Sequence, residues 1–196
     1  MWYMPATRDA HHLLLDRVLA YAATDGIADK SLREIAAGVG TSHRMLLYHF
    51  GSREGLLAAI VGAVEEQQRV LLASLTGTPA ARTPGEVMVR LWHQVSDPAL
   101  RPFVGLFFAV VGMAVQGIPG TRGLLANLTD PWLAQGAAVA DQLGVPVDPA
   151  AVRLGVAASR GLLLDLLAGA DPADVTASYQ LLADMWQHWA DTGRRS

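Results

Sequence analysis

The chain contains no cysteine. This excludes disulfides and thiolate metal sites, and it fits a cytoplasmic protein. An excess of positive charge is also missing: 15 Lys and Arg stand against 18 Asp and Glu, a formal net charge of −3. That is not the balance of a generally basic nucleic-acid binder, so any contact with a polyanion must rest on a local face. The opening residues, MWYMPATRDAHH, lack the charged start, apolar run and small-residue cleavage site of a signal peptide. The longest apolar run, Phe103–Val115, is interrupted by glycines and short for a bilayer, and it reads as a buried helix. No alternating stretch suggests a sheet, and there is no internal repeat. HExxH, a Gly-rich phosphate loop and a nucleophile elbow are all absent, and the adjacent His11 and His12 are not spaced to share a metal on a helix. No catalytic residue, metal ligand or cofactor is therefore expected. What is abundant is apolar content, 52% of 196 residues, enough for a well-buried core in one domain or in a small domain joined to a larger one.

Nearly every segment has helical periodicity. Leu13, Leu14, Arg17, Val18 and Tyr21 recur at three-to-four spacing over 9–24, with Gly26 as a stop. After two short helices, Ser52 caps a helix whose stripe of Leu56, Leu57, Ile60, Val61, Val64 and Leu71 runs to about Leu75. Residues 76–85 hold Gly77, Pro79, Pro84 and Gly85, the best candidate boundary. Beyond it, helices are expected over 86–95, from Asp97-Pro98 to about Gln116, over 121–143 as one helix or as two with Asp130-Pro131 opening the second, over 150–168, and from Asp171-Pro172 to the end. The expected fold is all-α with about nine helices. It comprises an N-terminal three-helix domain over 8–52 and a larger helical domain over 53–196, linked by the helix 52–75.

The most informative stretch is 31–50, SLREIAAGVGTSHRMLLYHF. Ser31 is placed to cap a helix carrying Leu32, Ile35 and Ala36; Gly38 and Gly40 break it; Thr41 or Ser42 caps a second helix with Met45, Leu46 and Phe50. Two short helices across a Gly-containing turn form a helix-turn-helix, whose second helix can lie in the DNA major groove. Lys30, Arg33, Arg44 and Arg53 stand across this region against Glu34 and Glu54, with His43 and His49 added. The hydroxyl of Ser31 and free N–H groups at a helix start can face phosphate, and Arg33 lies within reach of phosphate or base. Thr41, Ser42, His43 and Arg44 form the leading end of the second helix, the end that reaches base edges. Arg44 can donate two hydrogen bonds to a guanine.

The residues Ile35-Ala36, Gly40, Leu46, Tyr48-His49-Phe50-Gly51-Ser52-Arg53-Glu54-Gly55-Leu56-Leu57 resemble the tetracycline-repressor (TetR/AcrR) family of bacterial transcriptional regulators. The resemblance covers residues 9 to 57. It implies phosphate contacts from Tyr48 and His49 at the end of the recognition helix and from Arg53 at the start of the next. Met45 stands where the family often has Thr or Ala, and Leu47 where it often has an aromatic; both could touch thymine methyls or serve as packing. The resemblance further implies a homodimer closed by the last two helices. Their candidate interface residues are Leu162, Leu163, Leu166, Tyr179, Leu182, Met185, Trp186 and Trp189, since helices apolar on more than one face can bury the extra face on a second copy.

A ligand pocket is expected in the central region. Trp92, His93, Phe103, Phe107, Phe108, Met113, Gln116 and Trp132 suit a mostly apolar organic molecule. Arg160 and Asp165, five apart within an apolar helix, are polar intrusions that could pair across a dimer, touch a ligand or reach solvent. The expected function is a ligand-responsive DNA-binding regulator, a repressor that leaves a palindromic operator when a small organic effector binds; no membrane partner is expected. The alternative is an all-α small-molecule binder or enzyme with a vestigial DNA-binding head.

Overall fold

A computed structural model describes residues 10–75 and 82–193. The candidate boundary at 76–85 therefore lies largely outside the described residues, as do 8–9 and 194–196 of the expected domains. Among the described residues the regular structure is entirely helical, with ten α-helices. They are α1 (Ala10–Asp25), α2 (Leu32–Gly38), α3 (His43–Phe50), α4 (Arg53–Leu75), α5 (Pro84–Val95), α6 (Arg101–Val115), α7 (Arg122–Ala126), α8 (Asp130–Gln142), α9 (Pro149–Ala168) and α10 (Pro172–Gly193). A single 3-10 turn, Pro98–Leu100, precedes α6.

The helix starts follow from side-chain chemistry. Ser31 and Glu34 form a reciprocal capping box on α2, as do Thr83 and Glu86 on α5. Of the two candidates for α3, Ser42 is the cap, accepting from the Met45 N–H. Ser52 Oγ accepts from Gly55 N at 3.0 Å at the start of α4. Asp97 and Asp148 cap the segments that open with Pro98 and Pro149.

The two glycines of the turn between α2 and α3 have different reasons. Gly40 sits at φ +66°, where an L side chain is strained. Gly38 remains helical as the last residue of α2; a Cβ there would stand 2.4 Å from the Tyr21 ring. Gly38 is thus a packing glycine and not the helix breaker expected from sequence.

Two helices are shared between the N-terminal helix-turn-helix domain and the C-terminal helical domain. Leu56, Leu57, Ile60 and Val61 of α4 join Leu14, Val18, Ile35, Leu46 and their neighbours in one buried cluster, and Leu106 and Val110 of α6 belong to it too. A second cluster gathers Leu72, Val87 and Val139, and a third sets Trp92 against Val175 and Tyr179. The segment Pro98–Val115 is apolar enough to cross a bilayer by length and composition, with mean hydropathy 1.8. Its α-helical part has 15 residues, about 22 Å at 1.5 Å per residue, short of a hydrocarbon core of about 30 Å. It packs on α4, α7 and α9 through one face, with 17% of the segment buried, so it is a half-buried helix rather than the buried helix expected from sequence.

Candidate nucleic-acid interface and internal cavity

The α2–α3 pair presents one face to the core and one to solvent. Leu46 is fully buried, whereas Arg44, Met45, Leu47 and Tyr48 are exposed, Tyr48 to 79%. On an α-helix Arg44 and Tyr48 are one turn apart on the same side. Ser31, Arg33 and Ser42 are exposed as well, and Thr41, His43 and His49 are half-buried. The hydroxyls of Ser31 and Ser42 are engaged as helix caps. The His49 ring stands 5.9 Å from His11 and 5.0 Å from Tyr48, so α1 supports the end of α3.

Arg53 is placed differently from the sequence expectation. Its Nε donates to the Lys30 carbonyl at 2.8 Å and its Nη2 to the Ala28 carbonyl. It braces the loop between α1 and α2, which keeps Ser31 and Arg33 in place. Arg17, which sequence reading assigned to a helical stripe, braces the other loop by donating to the carbonyls of Val39 and Gly40. Lys30 bonds the Tyr21 hydroxyl at 2.9 Å and the Asp25 carbonyl at 2.8 Å, and the Tyr21 bond raises its pKa above the ordinary lysine value.

Behind α4 lies a cavity of about 200 Å³. Its walls come from α4 (Val61, Val64, Glu65, Gln68, Leu72), α5 (Val87, Met88, Leu91), α6 (Phe103, Val104, Phe107), α8 (Trp132, Val139), α9 (Val152, Val156, Ser159, Arg160) and α10 (Tyr179, Trp186, Trp189), among others. Of the residues proposed from sequence, Phe103, Phe107, Trp132 and Arg160 line it. The others do not. Trp92 is 1% exposed and turned toward α10, stacked on Tyr179 at 4.4 Å and donating to Thr176 Oγ1 at 3.3 Å. His93 and Gln116 are exposed, and Phe108 and Met113 are half-buried and do not line the cavity. Successive helical residues point about 100° apart, so Leu91 and Phe107 can line a space that Trp92 and Phe108 do not reach.

The polar end of the cavity is an ion pair across the bundle. Arg160 Nη2 lies 3.3 Å from Glu65 Oε2 and donates to the Leu128 carbonyl at 2.6 Å; Trp132 Nε1 donates to the same Glu65 oxygen at 2.6 Å. The Arg160 guanidinium also sits over the Phe107 ring, 5.2 Å from its centroid. Burial lowers the Arg160 pKa, and Glu65 opposes the shift. Asp165 is exposed on the outer side of α9 and takes no part in the cavity. Sequence reasoning missed Glu65 and Gln68. The signal was present: with Val61, Val64 and Leu72 they share one helical face, so two polar groups stand on a buried stripe. Tyr179 is 2% exposed, its hydroxyl raised in pKa by burial, and belongs to the interior rather than to an outer interface. Leu162, Leu163, Leu166 and Leu182 pack, half-buried, on the Trp92 cluster; Trp186 is half-buried; Met185 and Trp189 are exposed.

Residues 14–60 match the family model of bacterial regulatory proteins, tetR family. The chain carries the N-terminal domain of the TetR family. The match runs from within α1 to the first turns of α4 and contains the whole of α2 and α3. The whole chain has a TetR-like fold. A transcriptional regulator from Rhodococcus sp. Rha1 superposes with a TM-score of 0.69 at 19% identity, over 93% of this chain and 98% of that one. A TetR-family transcriptional regulator from Pectobacterium atrosepticum gives 0.62 at 20% identity, over 89% and 90%. The multidrug binding protein EbrR complexed with imidazole gives 0.64 at 22% identity, over 94% of each chain; with ethidium it gives 0.61 at 22%, over 90% and 98%. No curated protein matches the chain significantly. Regulators of the TetR family bind DNA and small molecules and are generally not enzymes.

Proposed function

We propose that this chain is a ligand-responsive transcriptional repressor. It binds a palindromic operator as a homodimer and releases it when a small, largely apolar organic molecule enters the cavity behind α4. The observation that carries the DNA reading is the outward face of α3, with Arg44, Met45, Leu47 and Tyr48 exposed on a helix held from below by the buried Leu46. Arg44 and His43 read base edges by hydrogen bonding; Met45 and Leu47 meet apolar groups such as thymine methyls; Arg33, Tyr48 and His49 contact the backbone. Arg53 acts as the brace of the α1–α2 loop.

The dimer reading rests on an outward apolar stripe of α9 and α10. Leu154, Leu164, Leu181, Met185 and Trp189 are each at least 40% exposed, and a two-fold contact of this stripe with itself pairs two recognition helices. Release follows from the shared helices. On α4, Leu57 and Ile60 support the helix-turn-helix while Glu65 and Gln68 line the cavity; on α6, Leu106 and Val110 do the first and Phe103 and Phe107 the second. A ligand that prefers one position of α4 and α6 shifts the spacing of the two recognition helices away from the roughly 34–36 Å of successive major grooves. Binding of ethidium by EbrR, a protein of this fold, supports an organic effector.

The reading is tested by selecting operator fragments from genomic DNA with the full chain. Affinity is then measured for the parent and for Arg44→Ala with Tyr48→Ala. The double variant should lose most of the affinity while keeping its helical content. Unchanged tight binding would show that α3 is not the reading element.

A further inference from the structure

The charged side chains and hydroxyls that line the cavity have partners, and the amide oxygen of Gln68 does not. Among the described residues, Glu65 and Arg160 are the charged ones that line it, and they neutralise each other. Glu65 is further held by Trp132, and Arg160 by the Leu128 carbonyl. Ser159 Oγ donates to the Gly155 carbonyl at 2.7 Å and stands 3.4 Å from the Tyr179 hydroxyl. Gln68 Oε1 is buried and is the one buried side-chain oxygen without a hydrogen-bond partner among the described residues. A buried amide oxygen left unpaired costs free energy, which a donor arriving with a ligand would recover.

Size and charge narrow the donor's carrier. An apolar cavity of roughly 150 Å³ accepts benzene, so about 200 Å³ accommodates one ring with a short chain. An ammonium or carboxylate ligand would bring a charge with no counter-charge left in the cavity, since each ionic group there already has its partner. A ketone or ether offers Gln68 Oε1 no proton. A hydroxyl offers one and carries no charge.

We propose that the effector is an uncharged amphipathic alcohol of one ring or an equivalent short chain, its hydroxyl donating to Gln68 Oε1 and its apolar body lying among Leu72, Leu91, Val139 and Trp186. The proposal rests on the cavity being the effector site. It names the chemical class and the residue that selects it.

The test is calorimetric titration of the full chain, without DNA, with four molecules sharing one body: phenylpropanol, propylbenzene, phenylpropanoate and phenylpropylamine. Phenylpropanol should bind about tenfold more tightly than propylbenzene, one hydrogen bond's worth, and both charged analogues should bind more weakly than propylbenzene. Gln68→Met, close in shape and without the unpaired oxygen, should melt no lower than the parent. It should remove the tenfold preference while leaving propylbenzene within about twofold. Tighter binding of either charged analogue, an alcohol preference that survives Gln68→Met, or no binding by any member would overturn the proposal. Operator release is measured separately. Gln68-dependent alcohol binding that leaves operator affinity unchanged would sink the effector reading alone, and release by a charged analogue would sink the alcohol assignment alone.

Discussion

Breaking the Glu65–Arg160 pair should cost far more than an ordinary surface ion pair would. The two side chains are 20% and 19% exposed and 3.3 Å apart. At an effective dielectric constant near 20 the attraction is about 5 kcal/mol, most of it offset by the loss of hydration of both groups. Removing one partner leaves the other charge shielded without its counter-charge, a cost of about 3–5 kcal/mol when burial is complete. With a fifth of each side chain still reaching solvent, about 2–3 kcal/mol is expected for Arg160→Met. Glu65→Leu should cost about 1 kcal/mol more, because Trp132 Nε1 loses its acceptor as well. For a chain of this size these correspond to melting temperatures lower by about 4–16 °C. The double variant leaves neither charge and should melt within a few degrees of the parent, so the single effects should exceed the double by at least about 2 kcal/mol. The assay is thermal unfolding followed by circular dichroism, with a denaturant series to give free energies. Single costs below about 0.5 kcal/mol that simply add would show a solvated pair and refute the reasoning.

Three further outcomes follow from the same structure. Trp92→Ala empties a side chain that is 1% exposed and stacked on Tyr179, so unfolding by denaturant should show a loss of about 3–5 kcal/mol, even though Trp92 does not touch the cavity. Gly120→Ala puts a Cβ 2.9 Å from Ser52 Oγ and 3.1 Å from Gly55 N at φ +88°, against the start of α4, and should cost about 2–4 kcal/mol and weaken operator binding. Gly144→Ala is its control, since Gly144 also has positive φ but a Cβ would meet nothing within 4 Å, and only the backbone cost of about 1–2 kcal/mol should appear in its melt. The caps predict an acid limb. Glu34 is held below the ordinary value of 4.5 by its hydrogen bonds with Ser31, and Glu86 by the backbone N–H groups of Arg82 and Thr83. Their contribution is therefore present above pH 4.5 and lost as pH falls through the lower folded values. Melting temperatures measured down the acid range should show this loss, and Glu34→Gln with Glu86→Gln should flatten it.

Local chemistry was legible in the sequence where one residue decides one event. Ser31 and Ser52 cap as expected, Gly26 and Gly40 take positive φ, and the Pro-marked starts at 98, 131 and 172 open the expected segments. Direction was harder to read. The 3.6-residue period separates inside from outside on one helix, but it does not say which neighbour each inside residue meets. Trp92 and Leu91 are both apolar and adjacent, yet only Leu91 lines the cavity. Glu65 and Arg160 are 95 positions apart, and nothing within either helix announces the pair. Tyr179 satisfied the criteria for an interface residue until Trp92, from α5, took its ring face. Arg53 illustrates the same limit: its basic character suits phosphate, and the carbonyls of Ala28 and Lys30 claim it first.

The central claim is that α3 reads DNA, and selection from random double-stranded fragments tests it most directly. The full chain and a His43→Ala, Arg44→Ala, Tyr48→Ala variant are carried through the same rounds at two salt concentrations. The parent should enrich an inverted repeat whose half-sites lie one or more helical turns apart, with affinity falling as salt rises; the variant, equally helical and equally stable to heat, should enrich nothing. Enrichment of no sequence by the parent, or of the same repeat by the variant, would contradict the account.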